Sequence, residues 1–261
     1  MTYTVITTFN SEGYNTYAQK MLQTFLATWP KQVELWAYAE SCRPKEQAAN
    51  LKIFDLEASS PELVAFKNRW RNVPKANGHP HPGAESKAYK WQAVRFSHKV
   101  YAIFAAAKAV QTEWLIWMDA DMVCHSPLPI QRLSVLFPSD KDLCYAGRSN
   151  KFTECGLYGM NLTQPMIKKF LDEFQRMYDE AEQGIFTLSE WHDSYVFDQV
   201  RSKFPLRKLN WTANLINGEG HPIINCEWGA YLDHLKGKRK KHGRSNITKD
   251  LVVKRTEAYW R

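Results

Sequence analysis

The spacing of apolar positions changes repeatedly along the first seventy residues, and each change marks an element. "TYTVITTF" is a run of β-branched and aromatic residues, the composition of a strand. After the turn-forming "NSEGYN", the segment "YAQKMLQTFLATW" sets Met21, Leu22, Phe25 and Leu26 on one helical face, and Pro30 ends it. "VELWAYA" and "LKIFDL" read as a second and a third strand. In "SSPELVAFKNRW", Ser60 can cap a helix whose first position Pro61 can occupy. The loop "RNVPKANGHPHPGAES" is rich in glycine and proline, the pattern of a mobile segment or lid.

"SKAYKWQAVRFSHKVYAIFAAAKAV" predicts a long helix, with Trp91, Val94, Val100, Ile103, Phe104 and Ala107 as its buried stripe. "EWLIWMD" is apolar throughout, as a central parallel strand covered on both faces should be. "DLCYAG" and "GLYGMN" are further strand candidates. "QPMIKKFLDEFQRMYDEAEQ" repeats Ile167, Phe170, Leu171, Phe174, Met177 and Tyr178 at helical period. Ser189 is expected to open another helix through "EWHDSYVFDQVRSKF", and the chain from Pro205 reads as irregular and aromatic. Strands alternating with helices predict an α/β fold, a mostly parallel, Rossmann-like central sheet flanked by helices. In such sheets ligands bind outside the carboxyl ends of the strands.

Composition narrows the class. The 261 residues, 44% hydrophobic and 13% aromatic, suit a single domain spanning 1–261, with no repeat or low-complexity segment. The formal charge of +8 points to an anionic partner, and much of the excess lies in "HLKGKRKKHGR", residues 234–244. A solvated basic tail is the other reading of that run. Five cysteines without a CxxC spacing argue against a disulfide framework or structural zinc, and fit reduced thiols. The N-terminus lacks a signal-peptide pattern and no apolar run reaches membrane length, so a soluble, cytoplasmic protein is expected.

The chemistry concentrates in "LIWMDADMVCHSPLP", residues 115–129, where Asp119 and Asp121 follow a buried strand. Carboxylates alternating on an extended segment can point to one side and hold a hard divalent ion, which offsets the charge of a departing diphosphate. A turn or helix-capping pair beside "HSPLP" is the alternative. His234 is a suitable further ligand for Mn²⁺-like ions, and the cations after it can meet phosphate. In "SEWHDSYVF", Glu190 and Asp193 lie three apart at the expected helix start; both capping and a carboxylate role in catalysis fit them. His79 and His81, in the mobile loop, are a weaker metal candidate because nothing nearby adds ligands.

These pieces resemble the glycosyltransferases of the GT-A fold. "WLIWMDADMVCHSPLP" is similar to their central strand and D-x-D motif, and "HLKG" with Lys238, Arg239 and Lys240 to their H-x-x-G-x-x-K element. "FSHK" and "CGLYGMN" resemble the segments before and behind the metal site. The resemblance, which extends to GT8-like retaining transferases, implies a nucleotide-sugar donor, UDP-sugar first, and Mn²⁺ or Mg²⁺ held by Asp119, Asp121 and His234. It implies that Thr7, Thr8, Phe9 and Asn10 seat the base and ribose. Arg95, Lys99, Asp119, Lys236, Gly237, Lys238 and Arg239 then contact the donor, with Arg69 and Arg71 as outlying candidates. Asp193 is the expected catalytic carboxylate, with Glu190 beside it. Residues 1–125 would form the nucleotide-sugar half, 126–233 the acceptor and catalytic half, and 234–261 a basic C-terminal segment.

The acceptor is read from charge and compartment. A positive surface favours duplex DNA, whose phosphates supply most nonspecific affinity. The expectation is a viral-type enzyme glycosylating a hydroxymethylated base of the 5-hydroxymethylcytosine type, reached by flipping the base from the stack, in the host cytoplasm. A surface-glycan precursor or a protein is the alternative acceptor. A non-catalytic nucleic-acid binder on the same fold is the alternative class, and a nucleotidyltransferase is disfavoured because "TTFNSEGYN" lacks a Gly-rich basic loop.

Overall fold

The computed structural model describes residues 1–79, 85–215, 220–237 and 239–261. Nine strands are present among them: β1 (Tyr3–Asn10), β2 (Glu34–Glu40), β3 (Leu51–Asp55), β4 (Trp114–Met118), β5 (Met122–Cys124), β6 (Leu143–Arg148), β7 (Lys151–Asn161), β8 (Lys208–Asn210) and β9 (Leu232–His234). Seven form one sheet in the order β3-β2-β1-β4-β7-β6-β8. The pairs β3–β2, β2–β1, β1–β4 and β6–β8 are parallel, and β7 runs antiparallel to both its neighbours. The sheet is therefore mostly parallel, as the alternation of elements predicts. β5 and β9 pair separately and antiparallel.

Side chains alternate across each strand, so β4 feeds two cores at once. Leu115 and Trp117 enter the core built on the helices Ala93–Ala109 and Pro165–Asp179. Trp114, Ile116 and Met118 enter the opposite core, with Met21, Leu22 and Phe25 of the helix Gln19–Thr28 and with Trp228. All five β4 residues are buried, which accounts for the unbroken apolar run. The helix Pro61–Trp70 begins as expected: the Ser60 side chain accepts from the Leu63 amide and Pro61 sits in the first turn.

Two helix starts differ from the sequence reading. The long helix begins at Ala93; Glu85–Trp91 is a 3-10 segment instead. The Lys90 carbonyl accepts from the amides of Trp191 and His192, at 2.7 and 3.1 Å, and so does not serve a helix of its own. The later helix runs Asp193–Ser202 with His192 as its cap, its ring accepting from the Tyr195 amide. Ser189 and Glu190 lie before this helix, so Glu190 and Asp193 do not share a helix face. All five cysteines are free. Among the described residues, no helix is long and apolar enough to cross a membrane.

Candidate metal centre

The last residue of β4 hands the chain to a tight turn. The Asp119 amide donates to the Gly156 carbonyl on β7 at 2.8 Å, and the Met122 amide donates back to the Asp119 carbonyl at 3.1 Å. The turn presents Asp119 and Asp121 at the carboxyl end of the parallel strands. β5 then pairs with β9, Met122 opposite His234, and the Leu235 amide donates to the Asp121 carbonyl at 2.9 Å. This ladder carries His234 across 113 residues of sequence to the aspartates: its Nε2 stands 3.1 Å from Asp121 Oδ1 and 3.7 Å from Asp119 Oδ2. A side chain at position 156 would force the imidazole to shift, because a Cβ there would stand 2.5 Å from the His234 ring.

The three residues offer ligand atoms that all lie within 4.8 Å of one another. Two carboxylates and an imidazole nitrogen are a donor set for a hard or borderline divalent cation. The other nitrogen, His234 Nδ1, is buried without a hydrogen-bond partner, and the buried Glu154 carboxylate is 3.8 Å away. The negative charge on that side of the ring favours a proton on Nδ1, which leaves Nε2 to ligate. The residues fit a divalent ion.

Each carboxylate in the neighbourhood also has a cation. Lys99 Nζ bridges Asp119 Oδ1 at 2.9 Å and Asp193 Oδ2 at 2.7 Å, and donates to the Cys155 carbonyl at 2.5 Å. Its ammonium lies 4.8 Å from the centre of the Trp117 ring, and Trp117 Nε1 donates to Asp119 at 2.7 Å. Lys236 Nζ meets Glu154 at 3.0 Å. Lys240 Nζ meets Asp121 Oδ2 at 3.0 Å and lies 4.1 Å above the Tyr17 ring.

Burial alone would raise the Asp121 carboxyl; His234 and Lys240 reverse that and hold it well below the carboxylate range. Asp193 is likewise pushed up by burial and pulled below its usual value by Lys99. Burial disfavours the charged forms of Lys99 and His234, yet the adjacent carboxylates raise both. These cations keep Asp121 and Asp193 ionised.

The predicted metal set, Asp119, Asp121 and His234, is therefore brought together, and Lys99, Asp193 and Lys236 adjoin it. Thr7 is buried inside β1, the Thr8 hydroxyl donates to the Tyr38 carbonyl, and Phe9 stacks on Tyr14. Asn10 caps the turn after β1 through the Gly13 amide. Arg95 is exposed and donates to Gln92. Gly237 takes φ +65°, a left-handed conformation that favours glycine, with open space around it.

Glu190 is engaged by Lys90 at 2.5 Å and by His192 at 2.9 Å. Arg239 turns to Asp250, at 2.5 Å, while Lys240 from the same basic run faces the aspartates. Adjacent residues on the one-turn helix Arg239–His242 necessarily point apart. Lys238 and His81 lie outside the described residues. His79 is exposed, Arg69 pairs with Glu182 and Arg71 is exposed. Glu154, Trp117 and Tyr17 were missed. Glu154, between the buried Thr153 and Cys155 on β7, carried the one available signal, a charge where a core residue belongs.

No protein-family model matches the chain, and no curated protein matches it. Several solved structures are similar. One is a glycosyltransferase involved in glycosylation of the major capsid of PBCV-1, with 12% identity, 93% of this chain, 100% of that chain and a TM-score of 0.48. A second is mouse xyloside xylosyltransferase 1, with 12% identity, 80% and 85% coverage and a TM-score of 0.46. The bifunctional glycosyltransferase WbbM gives 10% identity and a TM-score of 0.49 over 80% of this chain, which spans 38% of the length of WbbM.

Proposed function

We propose that this protein is a metal-dependent glycosyltransferase that moves a sugar from a nucleotide-diphosphate sugar, a UDP-sugar first among them, to a hydroxyl acceptor. The observation that carries the reading is the convergence of Asp119, Asp121 and His234 from two chain segments onto one corner at the strand ends. A divalent cation there, Mn²⁺ or Mg²⁺, supplies Lewis-acid neutralisation of the leaving diphosphate. The protein's own groups do the rest. Lys236 and Lys240 lie close enough to share the diphosphate charge. This reading assigns the base and ribose to Thr7, Thr8, Phe9 and Asn10 at the carboxyl end of β1.

Asp193 is the catalytic carboxylate of this proposal. Lys99 fixes its position and holds it ionised, so it can accept a proton from the acceptor hydroxyl or face a developing positive centre. Glu190, tied to Lys90 and His192, steadies the segment that delivers Asp193. Residues 1–125 serve the donor, 126–233 the acceptor and chemistry, and 234–261 the diphosphate and an anionic partner.

The favoured acceptor is a hydroxymethylated base in duplex DNA, met in the cytoplasm. Its support is the +8 charge and a groove of about 550 Å³ lined by Lys236, Arg239, His242, Arg244 and Lys249 with Asp250. Counterion release makes such binding fall steeply with salt. A screen of nucleotide sugars with Mn²⁺, reading nucleoside diphosphate release with and without hydroxymethylated duplex DNA, tests both parts. Release stimulated by that DNA, and by DNA at 50 mM but not 500 mM salt, supports the reading. Release without any DNA effect refutes the DNA acceptor and leaves the surface-glycan or protein acceptor. No release with any donor refutes the transferase and leaves a nucleic-acid binder.

A further inference from the structure

We infer that Lys240 is a tethered cation standing in for metal charge at Asp121, and that it makes tight metal binding conditional on a diphosphate. The inference rests on the metal reading of the site. In the free protein the carboxylates are already matched: Lys99 serves Asp119 and Asp193, Lys236 serves Glu154, and Lys240 serves Asp121. A bare divalent ion entering among Asp119, Asp121 and His234 adds two positive charges to a set that is close to balanced. It must also take Asp121 Oδ2 from an ammonium 3.0 Å away. Metal alone is therefore opposed, whereas metal together with a diphosphate restores the balance.

The cations differ in their freedom to move. Lys99 is locked by three partners in the interior. Lys240 rides on the one-turn helix Arg239–His242, three residues after Gly237 with its left-handed backbone and open surroundings, and makes a single ion pair among the described residues. Tyr17, 4.1 Å below the ammonium, gives it a polarizable floor on which to shift. Lys240 is thus built to release Asp121 to the metal and turn to the incoming diphosphate. Because coupling between two ligands is reciprocal, metal and diphosphate then raise each other's affinity.

The test titrates Mn²⁺ into the full chain, alone and with UDP, following free Mn²⁺ by electron paramagnetic resonance. Wild type, Lys240→Gln and the neighbouring surface control Lys241→Gln are compared, with circular dichroism to verify the fold. Lys240→Gln is expected to bind Mn²⁺ alone about tenfold more tightly than wild type, inside the roughly 5–150-fold range of such couplings. The enhancement by UDP should shrink by a similar factor, and Lys241→Gln should behave as wild type. Equal or weaker Mn²⁺ binding by Lys240→Gln, or an unchanged UDP enhancement, overturns the inference while leaving the metal site standing. Mn²⁺ bound by none of the three proteins, even with UDP, overturns the metal reading as well.

Discussion

Replacing Lys99 by Met removes the ammonium between Asp119 and Asp193 and keeps almost the same side-chain length. Three contacts vanish: 2.9 Å to Asp119, 2.7 Å to Asp193 and 2.5 Å to the Cys155 carbonyl. Removing one partner of a buried pair costs about 3–5 kcal/mol, mostly because the remaining charge is left uncompensated. Asp119 keeps 28% of its side chain exposed and recovers hydration, whereas Asp193 keeps 13%. The lower end, about 3 kcal/mol, is therefore expected.

The pH dependence gives a sharper check. In wild type Asp193 lies below its usual value, so its stabilising contribution is present above the unfolded pKa, about 3.9, and is lost as pH falls. In Lys99→Met burial is opposed only by the more weakly acting His192 and Lys236, so the carboxyl rises; that contribution is present at low pH and lost as pH rises. The stability gap between the two proteins should widen from pH 5 to pH 7.5 in urea unfolding. Adding Asp193→Asn should return part of the loss, because the stranded charge goes with it. A gap that is flat across this range, or a double variant no more stable than the single one, refutes the reasoning.

Asp121→Asn keeps shape but removes the buried ligand charge. Calorimetry with Mn²⁺ and UDP should show binding weakened more than about 100-fold, beyond the roughly 10–100-fold typical of groups that merely support a ligand. Gly156→Ala should destabilise by about 1–3 kcal/mol in thermal unfolding, because its methyl collides with the His234 ring, and should weaken Mn²⁺ binding as well. Glu40 is raised by burial but drawn down to about 2 by His98 and Lys67. Its contribution is thus present above its unfolded value and lost as pH falls towards 2; Glu40→Gln should be less stable at pH 7, with the deficit shrinking between pH 4.5 and 2.5.

The sheet was legible because period and composition agree: β4 is buried on both faces and reads as an unbroken apolar run, and Ser60-Pro61 announces its own helix. The antiparallel course of β7 had no local signature, since direction is decided by which partner offers free backbone groups. Helix starts at Ala93 and Asp193 escaped for a related reason. The Lys90 carbonyl is claimed by Trp191 and His192, a contact across a hundred residues that local propensity cannot anticipate. At the site, the chemistry of Asp119, Asp121 and His234 was readable from residue type and order. The division of labour within "KGKRKK" was not, because one turn of helix sends Arg239 to Asp250 and Lys240 to Asp121.

The pairing of β5 with β9 has a consequence for synthesis. Asp121 and His234 are separated by 113 residues, so at about 5–20 residues per second a ribosome needs roughly 6 to 23 seconds to make the second after the first. During that interval β1 to β4 can pair while the acidic corner has no imidazole and no arm from the tail. A nascent chain can thus gain most of its architecture before it can seize a metal ion, and assembly of the centre is timed by translation itself.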